Sequence, residues 1–545
     1  MHVSRLMLLL LLCIQPSILH PKVKKQKPPR ATVVFIIDQF AYHYLPRVKK
    51  HFKYGLKELF TQGAVFEQAY HPHGVPETTP GHHGICTGTL PKYHGATYNS
   101  WFSPDYQKVR YEVDERPQAA VLHANNAAAQ PGISPHNTKV DGLSDQFMQV
   151  ATREQGYAAY AFSLKMHPVV SCANRLGKAF WFDCQAGGFT SSKAYFNQLP
   201  KWVTRFNKRY ARLINNPMHW SLSQPAKSAA YQFPNITDYR FAGPPGKLAN
   251  TTPSREVWRE HFTKTPAASQ LLLNLAKNTM DELLEQGKDH FLFWISLSTL
   301  DLCGHVFGPD SLECIDTLYH LDQQIGNFMT QVNQTIGAKD TLYVLTGDHG
   351  VCPIPEIVAE RGNNLAKRIL AKPMLAEMNK LVEAKYGLKN FVRAYEPCMF
   401  MVDQEIKKQL PPAQLFNVLH DLKTLLLKEP GIKKVWTWDE LHRLPFEADQ
   451  LEQFCKNQLY KDRNADIIVM TEPFCLLTHY PAGTAHSSPY EYDTHVPLVV
   501  YRKGCIQKMT VADKVWIPQL PVTLAQLLGV GQPSASTYKA LPGIV

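Results

Sequence analysis

Thr32 to Ile37 (TVVFII) is an uninterrupted β-branched and aromatic run that stops at Asp38. Side chains alternate across a strand, so a run with no polar face needs cover on both sides, as in a parallel sheet between helices. Phe291 to Ser298 (FLFWISLS) repeats the pattern and leads to Asp301; Thr341 to Thr346 (TLYVLT) repeats it again and leads to Asp348. Ala465 to Thr471 and Val496 to Tyr501 read as two further strands of the set. Helical stretches separate them, such as Ala267 to Glu285 and Ser311 to Val332. The expected class is α/β, with a mostly parallel central sheet flanked by helices. Ligands of open α/β sheets sit beyond the carboxyl ends of the strands. Asp38, Asp301 and Asp348 all follow such ends, so three distant segments bring carboxylates to one edge.

The length of 545 residues accommodates one large domain of this kind with insertions. Residues 1–20 read as a signal peptide: His2 and Arg5 precede an apolar run from Leu6 to Ile14, then Gln15, Pro16 and Ser17. That run is too short for a permanent membrane anchor, and no later run is longer. Export to a periplasm or the medium follows. Residues 21–30 form a basic linker, and residues 31–545 form the folded domain, with insertions expected near 174–266 and 352–464 that cap or shape a site. The net charge of +12 attracts anions, phosphorylated small molecules among them, and gives no reason to expect a nucleic-acid partner.

Beyond Cys13, ten cysteines remain for a compartment where disulfides form. Cys172 and Cys184 are close in sequence and make one candidate pair; reduced core thiols are the other reading. No C-x-x-C occurs, which argues against a cysteine-based zinc module. Asn235, Asn250 and Asn333 each begin an N-x-[ST] acceptor pattern.

Several short constellations can carry chemistry. Asp301-x-x-x-His305 places a carboxylate and an imidazole on one helical face, where they can hold one cation. Asp348-His349 stands between Gly347 and Gly350, which allow a turn that brings both to one centre. His486 lies in a loop of small residues, Gly483 to Pro489, that permits close approach of a ligand. Thr78 stands at the start of a helix continuing through His82, with Pro80 tolerated in the first turn. A helix N-terminus favours negative charge, so it suits a bound phosphate and an ionised hydroxyl alike. Each piece alone also has an ordinary reading, as a chance pair, a helix cap or a loop histidine.

Taken in order, Asp38, Thr78-x-Pro80-x-His82, Thr87-Gly88-x-x-Pro91-x-x-His94-Gly95, Asn99, Asp301-x-x-x-His305, Asp348-His349-Gly350 and His486 resemble the alkaline phosphatase superfamily. Within it the chain is similar to the type I phosphodiesterase/nucleotide pyrophosphatase branch and to phosphate-irrepressible alkaline phosphatases, from about Ala31 to Tyr501. The resemblance implies an alkaline-phosphatase-like fold and two zinc ions. One zinc would be held by Asp38, Asp348, His349 and the Thr78 oxygen, the other by Asp301, His305 and His486. It implies Thr78 as the nucleophile, four residues before His82 and twenty-one before Asn99, and a phospho-threonine intermediate. Asn99 would donate a hydrogen bond to a phosphoryl oxygen.

Ser163-Leu164-Lys165-Met166-His167 resembles the Lys-x-Arg pattern with which monoesterases of the superfamily grip a dianionic phosphate. Lys165 matches; His167 stands where the arginine would be and cannot supply its bidentate fork. The expected activity is zinc-dependent hydrolysis of phosphate monoesters. Three alternatives stay open on the same residues: a phosphodiesterase or nucleotide pyrophosphatase, transfer of a phosphoryl-linked headgroup, and a catalytically silent metal-binding surface protein.

Overall fold

The computed structural model describes residues 27–103, 106–122, 131–151, 154–216, 220–225, 227–232, 254–445, 451–461, 463 and 466–545. The signal segment, most of the basic linker, Asn235 and Asn250 lie outside the described residues. Among the described residues no helix is long and apolar enough to cross a membrane.

Nine strands form the main sheet: β1 (Ala31–Ile37), β2 (Ala64–Tyr70), β3 (Tyr157–Ser163), β4 (Lys178–Asp183), β5 (Gly188–Thr190), β6 (His290–Leu297), β7 (Thr341–Thr346), β8 (His495–Tyr501) and β9 (Met509–Trp516). Their order is β9-β2-β8-β7-β1-β6-β3-β4-β5. Strand β1 runs parallel to β6 and β7, β3 runs parallel to β6 and β4, and β9 runs parallel to β2. Strand β8 is antiparallel to both β2 and β7, and β5 to β4. The sheet is thus mostly parallel, as the apolar runs require.

Strand β1 shows why those runs carry no polar face. Ala31, Val33, Phe35 and Ile37 enter one apolar layer, while Val34 and Ile36 enter the opposite one. Five helices matter below: α1 (Thr78–Thr87), α2 (Met166–Ala173), α3 (Pro266–Glu285), α4 (Thr299–Phe307) and α5 (Leu312–Thr335). Helices α3 and α5 cover the first face through Leu271, Leu275, Leu318 and Ile325. Helices α1 and α2 cover the second through Ile85, Val169 and Val170. Register aligns the strand ends: Ile37 pairs with Leu297 of β6, and Ile36 with Thr346 of β7. Asp38, Asp301 and Asp348 therefore leave the sheet at one edge.

One expected strand belongs elsewhere. Ile467–Thr471 joins a separate four-stranded sheet with Val392–Glu396, Met399–Val402 and Ile432–Thr437. Ile467 and Val469 pack there into a third apolar cluster, against Val418, Leu422 and Phe400. The excursion after Cys352 therefore keeps its own core, and its last strand pair joins Lys367–Leu370 to Cys475–Thr478. In the stretch after Asn174, β4 and β5 extend the main sheet.

Cys172 and Cys184 are not paired with each other: both are free thiols, the second of the two readings above. Cys172 Sγ lies 3.1 Å from Cys86 Sγ, because α2 packs along α1. Asn333 sits on α5, where its Oδ1 accepts a hydrogen bond from the Tyr343 hydroxyl at 2.9 Å.

Candidate active site

The strand-end acids meet at one cluster. Asp38, Asp301 and Asp348 are each 0–2% exposed. Helix α4 turns Asp301 and His305 to one face, with His305 Nε2 3.2 Å from Asp301 Oδ1. His486 Nε2 reaches the same oxygen at 3.6 Å. On the other side, His349 Nε2 lies 3.3 Å from Asp38 Oδ1 and 3.5 Å from Asp348 Oδ2. Two groups result, Asp301/His305/His486 and Asp38/Asp348/His349, each with its ligand atoms within 4.8 Å of one another. The His349 and His486 rings stack at 3.6 Å and join the groups.

Backbone carbonyls aim the imidazoles. His305 Nδ1 donates to Thr484 O at 2.9 Å, His349 Nδ1 to Gly350 O at 2.9 Å, and His486 Nδ1 to Pro76 O at 2.7 Å. A proton fixed on Nδ1 leaves the Nε2 lone pair facing the cluster, the arrangement that orients metal-binding histidines. Asp38 Oδ1 and Asp348 Oδ2 are buried and accept no well-aligned hydrogen bond, with only imidazole nitrogens near them: His349 Nε2, and His82 Nδ1 at 3.1 Å from Asp348 Oδ2. Buried oxygens left in that condition are costly, and a cation beside each relieves the cost. A mixed imidazole and carboxylate set suits zinc better than magnesium, which prefers oxygen. The residues fit two zinc ions.

Lys165 ties the groups together. Its Nζ donates to Asp38 Oδ2 at 2.6 Å and to Asp301 Oδ2 at 2.5 Å. Burial works against its charge, but Asp301 and Asp38 raise its pKa above that of an ordinary lysine. Burial and Asp301 push the Asp38 carboxyl up; Lys165 and His349 outweigh them and hold it at about 2. Burial, helped by His349 and His305, drives His486 well below the usual histidine value, so it stays in the neutral form a metal needs.

Thr78 is the first residue of α1, 2% exposed, with Oγ1 3.4 Å from His349 Nε2. The Thr79 amide donates to Asn99 Oδ1 at 2.8 Å. This bond engages the Asn99 carbonyl and leaves its amide NH₂ available beside the helix start. His167 departs from the cluster: its Nδ1 lies 3.9 Å from Glu112 Oε1, and burial lowers its pKa. Glu112 pairs in addition with Arg110.

Several residues support the cluster, most of them unmarked by any motif. Gln39 donates from its backbone N to Asp348 Oδ1 at 3.1 Å and from Nε2 to Asp301 Oδ1 at 2.7 Å, bridging the two groups. It does so from φ 69°, a region side chains rarely adopt. His82 donates from Nδ1 to Thr78 O at 2.8 Å, and its Nε2 lies 3.0 Å from Ser296 Oγ. Buried Glu77 accepts from the backbone N–H of Asn99 at 2.8 Å, and burial raises its carboxyl to about 7. Asp493 Oδ2 accepts from Ser487 N at 3.2 Å, Ser488 N at 2.9 Å and Ser488 Oγ at 2.6 Å, gripping the loop just after His486. Gln39 and Glu77 carry no signal beyond standing next to Asp38 and Thr78, His82 belongs to the motif that begins at Thr78, and Asp493 carries none.

A cavity of about 260 Å³ opens beside the cluster. Glu77, Asn99, His305 and His486 line its inner end, and Glu396 and Leu476 from the inserted module line its far wall. Lys108 Nζ meets Glu396 Oε1 at 2.5 Å across it.

The family and relatives it matches make the protein a phosphoric ester hydrolase. The family described as Type I phosphodiesterase / nucleotide pyrophosphatase matches residues 32–496, and the chain belongs to it. It is 25% identical to alkaline phosphatase PhoV of Synechococcus elongatus, over 98% of this chain and 95% of that protein. It is likewise 25% identical to alkaline phosphatase PafA of Elizabethkingia meningoseptica, over 95% and 94%. The crystal structure of wild-type PafA superposes with a TM-score of 0.84 at 24% identity, covering 96% of this chain and all of that one.

Proposed function

We propose that the protein is an exported, zinc-dependent phosphomonoesterase that works through a phospho-threonine at Thr78. The observation that carries this reading is the Thr78 hydroxyl at a buried helix start, 3.4 Å from His349 Nε2 and beside two groups of convergent Asp and His side chains. Asp38, Asp348, His349 and the Thr78 oxygen would hold one zinc, and Asp301, His305 and His486 the other; such a pair would supply Lewis acidity for an in-line displacement. Thr78 Oγ attacks phosphorus, and the bond to the leaving oxygen breaks on the opposite side. Asn99 donates from its amide to a non-bridging oxygen, held in place by the Thr79 amide and Glu77. The N-terminal end of the α1 dipole favours the same negative charge. Water then attacks the phospho-threonine and releases phosphate, restoring the Thr78 hydroxyl.

Lys165 favours monoesters, since a flexible ammonium at the junction of both groups can meet the extra charge of a dianionic phosphoryl group. The alkaline phosphatase names of PhoV and PafA agree with that preference. A second reading, hydrolysis of diesters, is favoured by His167, which turns toward Glu112 and adds no cation to the site. Turnover of an aryl phosphate and its aryl diester decides between them. A higher kcat/KM for the monoester, falling on Lys165→Ala, supports the first reading; a diester preference overturns it. For export, the expected result is recovery of a protein lacking the signal segment outside the cytoplasm.

A further inference from the structure

Cys86 lies in the last turn of α1 and Cys172 in the last turn of α2. Both are buried, at 0% and 1% exposure, and their sulfurs are 3.1 Å apart. We propose that these two cysteines form a native disulfide in the exported protein. The proposal rests on the export reading, and on nothing in the phosphatase chemistry.

The bond would join two helices that both serve the site. Helix α1 begins at Thr78, and α2 begins immediately after Lys165. A link between their far ends fixes how the nucleophile helix sits against the residue that bridges Asp38 and Asp301. The sulfurs need to close by about 1 Å to reach the length of an S–S bond, roughly 2.05 Å. The link spans 86 positions of sequence, a long loop whose closure removes much freedom from the unfolded chain.

The oxidant is a protein or small-molecule disulfide of the exporting compartment. A Cys86 or Cys172 thiolate attacks it to give a mixed disulfide; the second cysteine then displaces the oxidant. Two thiols lose two protons and two electrons in all, and the oxidant leaves as two thiols. Oxidation must precede the close packing of α1 on α2, because in the folded protein neither sulfur is reachable. Burial also raises the Cys86 thiol well above its ordinary pKa, so an unreacted Cys86 would stay inert once folded. The same burial shields a finished bond from reductants.

The test is a peptide map of the full chain, recovered from the exporting compartment and alkylated in denaturant without reduction. The expected result is a cross-linked peptide pair carrying Cys86 and Cys172, with neither residue alkylated. In Cys172→Ala the Cys86 peptide should appear free and alkylated. A map of the unaltered chain needs no variant to fold. Alkylation of both residues overturns the proposal, and so does a link from either one to Cys184. Absence of phosphatase turnover beside an intact cross-link would sink the proposed function and leave this bond standing.

Discussion

Gly81 sits in α1 directly against the backbone of Asp348, and substituting alanine there should disable the site while sparing the helix. A Cβ at this position would stand 2.1 Å from Asp348 O, 2.8 Å from its carbonyl carbon and 3.0 Å from its Cβ. None of these atoms can swing aside by side-chain rotation. The two segments must open by about 1.3 Å to reach the 3.4 Å of ordinary contact. Alanine favours a helix interior by about 1 kcal/mol over glycine, so α1 itself gains. The cost falls on the distance between Thr78, on α1, and Asp348 and His349, on the strand end. A misplacement of about 1 Å costs on the order of a hundredfold in rate, or about 2.7 kcal/mol of barrier. Steady-state kinetics on an aryl phosphate, with zinc content measured in parallel, should show kcat/KM lower by about two decades. Activity of Gly81→Ala within threefold of the unaltered protein would refute the reasoning, since Thr78 would then tolerate movement relative to its partners.

Lys165→Met strips the cation from between two buried carboxylates, so urea unfolding in a chelator should show about 3–5 kcal/mol less stability. With zinc present the loss should shrink, because the metals supply the missing charge; equal losses in both conditions would contradict this. Asp493→Ala releases the loop behind His486 but keeps the Gly350 N to Asp493 O bond of 2.7 Å beside His349. Chelator competition should show one zinc weakened by about tenfold to a hundredfold and the other little changed, as for lost supports of metal ligands; equal weakening of both would count against it. Burial holds His73 at about 4 and His83 at about 3, below the 6.5 of an ordinary histidine. The unfolded chain takes up these protons first, so stability is lost as pH falls from about 6.5 toward 4, by about 3 kcal/mol for His73 alone. In chelator, His73→Gln should flatten the pH dependence of the urea midpoint in that window; an unchanged slope would rule out the His73 contribution.

The central strands β1, β6 and β7 were legible because burial on both faces leaves an unbroken apolar run. That same property hides direction and partner. Val496–Tyr501 is equally apolar whether parallel or antiparallel, and Ile467–Thr471 whether in the main sheet or the smaller one. Strands β2 (AVFEQAY) and β3 (YAAYAFS) were missed because polar residues and alanines break the run, although Phe66 and Phe162 are fully buried. At the site, the cluster of Asp38, Asp301, His305, Asp348, His349 and His486 was legible from strand ends and from motif order. Gln39 was not, because it holds Asp348 and Asp301 from far away in the sequence, and Asp493 was not, because its carboxylate holds the backbone of the loop after His486, a role no motif marks. His167 was placed by its offset from Lys165, and its partner Glu112, 3.9 Å from its Nδ1, lies far away in the sequence with no motif to announce it.

The most direct test of the account is zinc content together with hydrolysis of an aryl phosphate monoester and diester, for the unaltered protein and for Thr78→Ala. The account predicts two zinc ions per chain, faster turnover of the monoester, and loss of turnover in Thr78→Ala. Full activity in that variant would contradict it, because the nucleophile would then lie elsewhere.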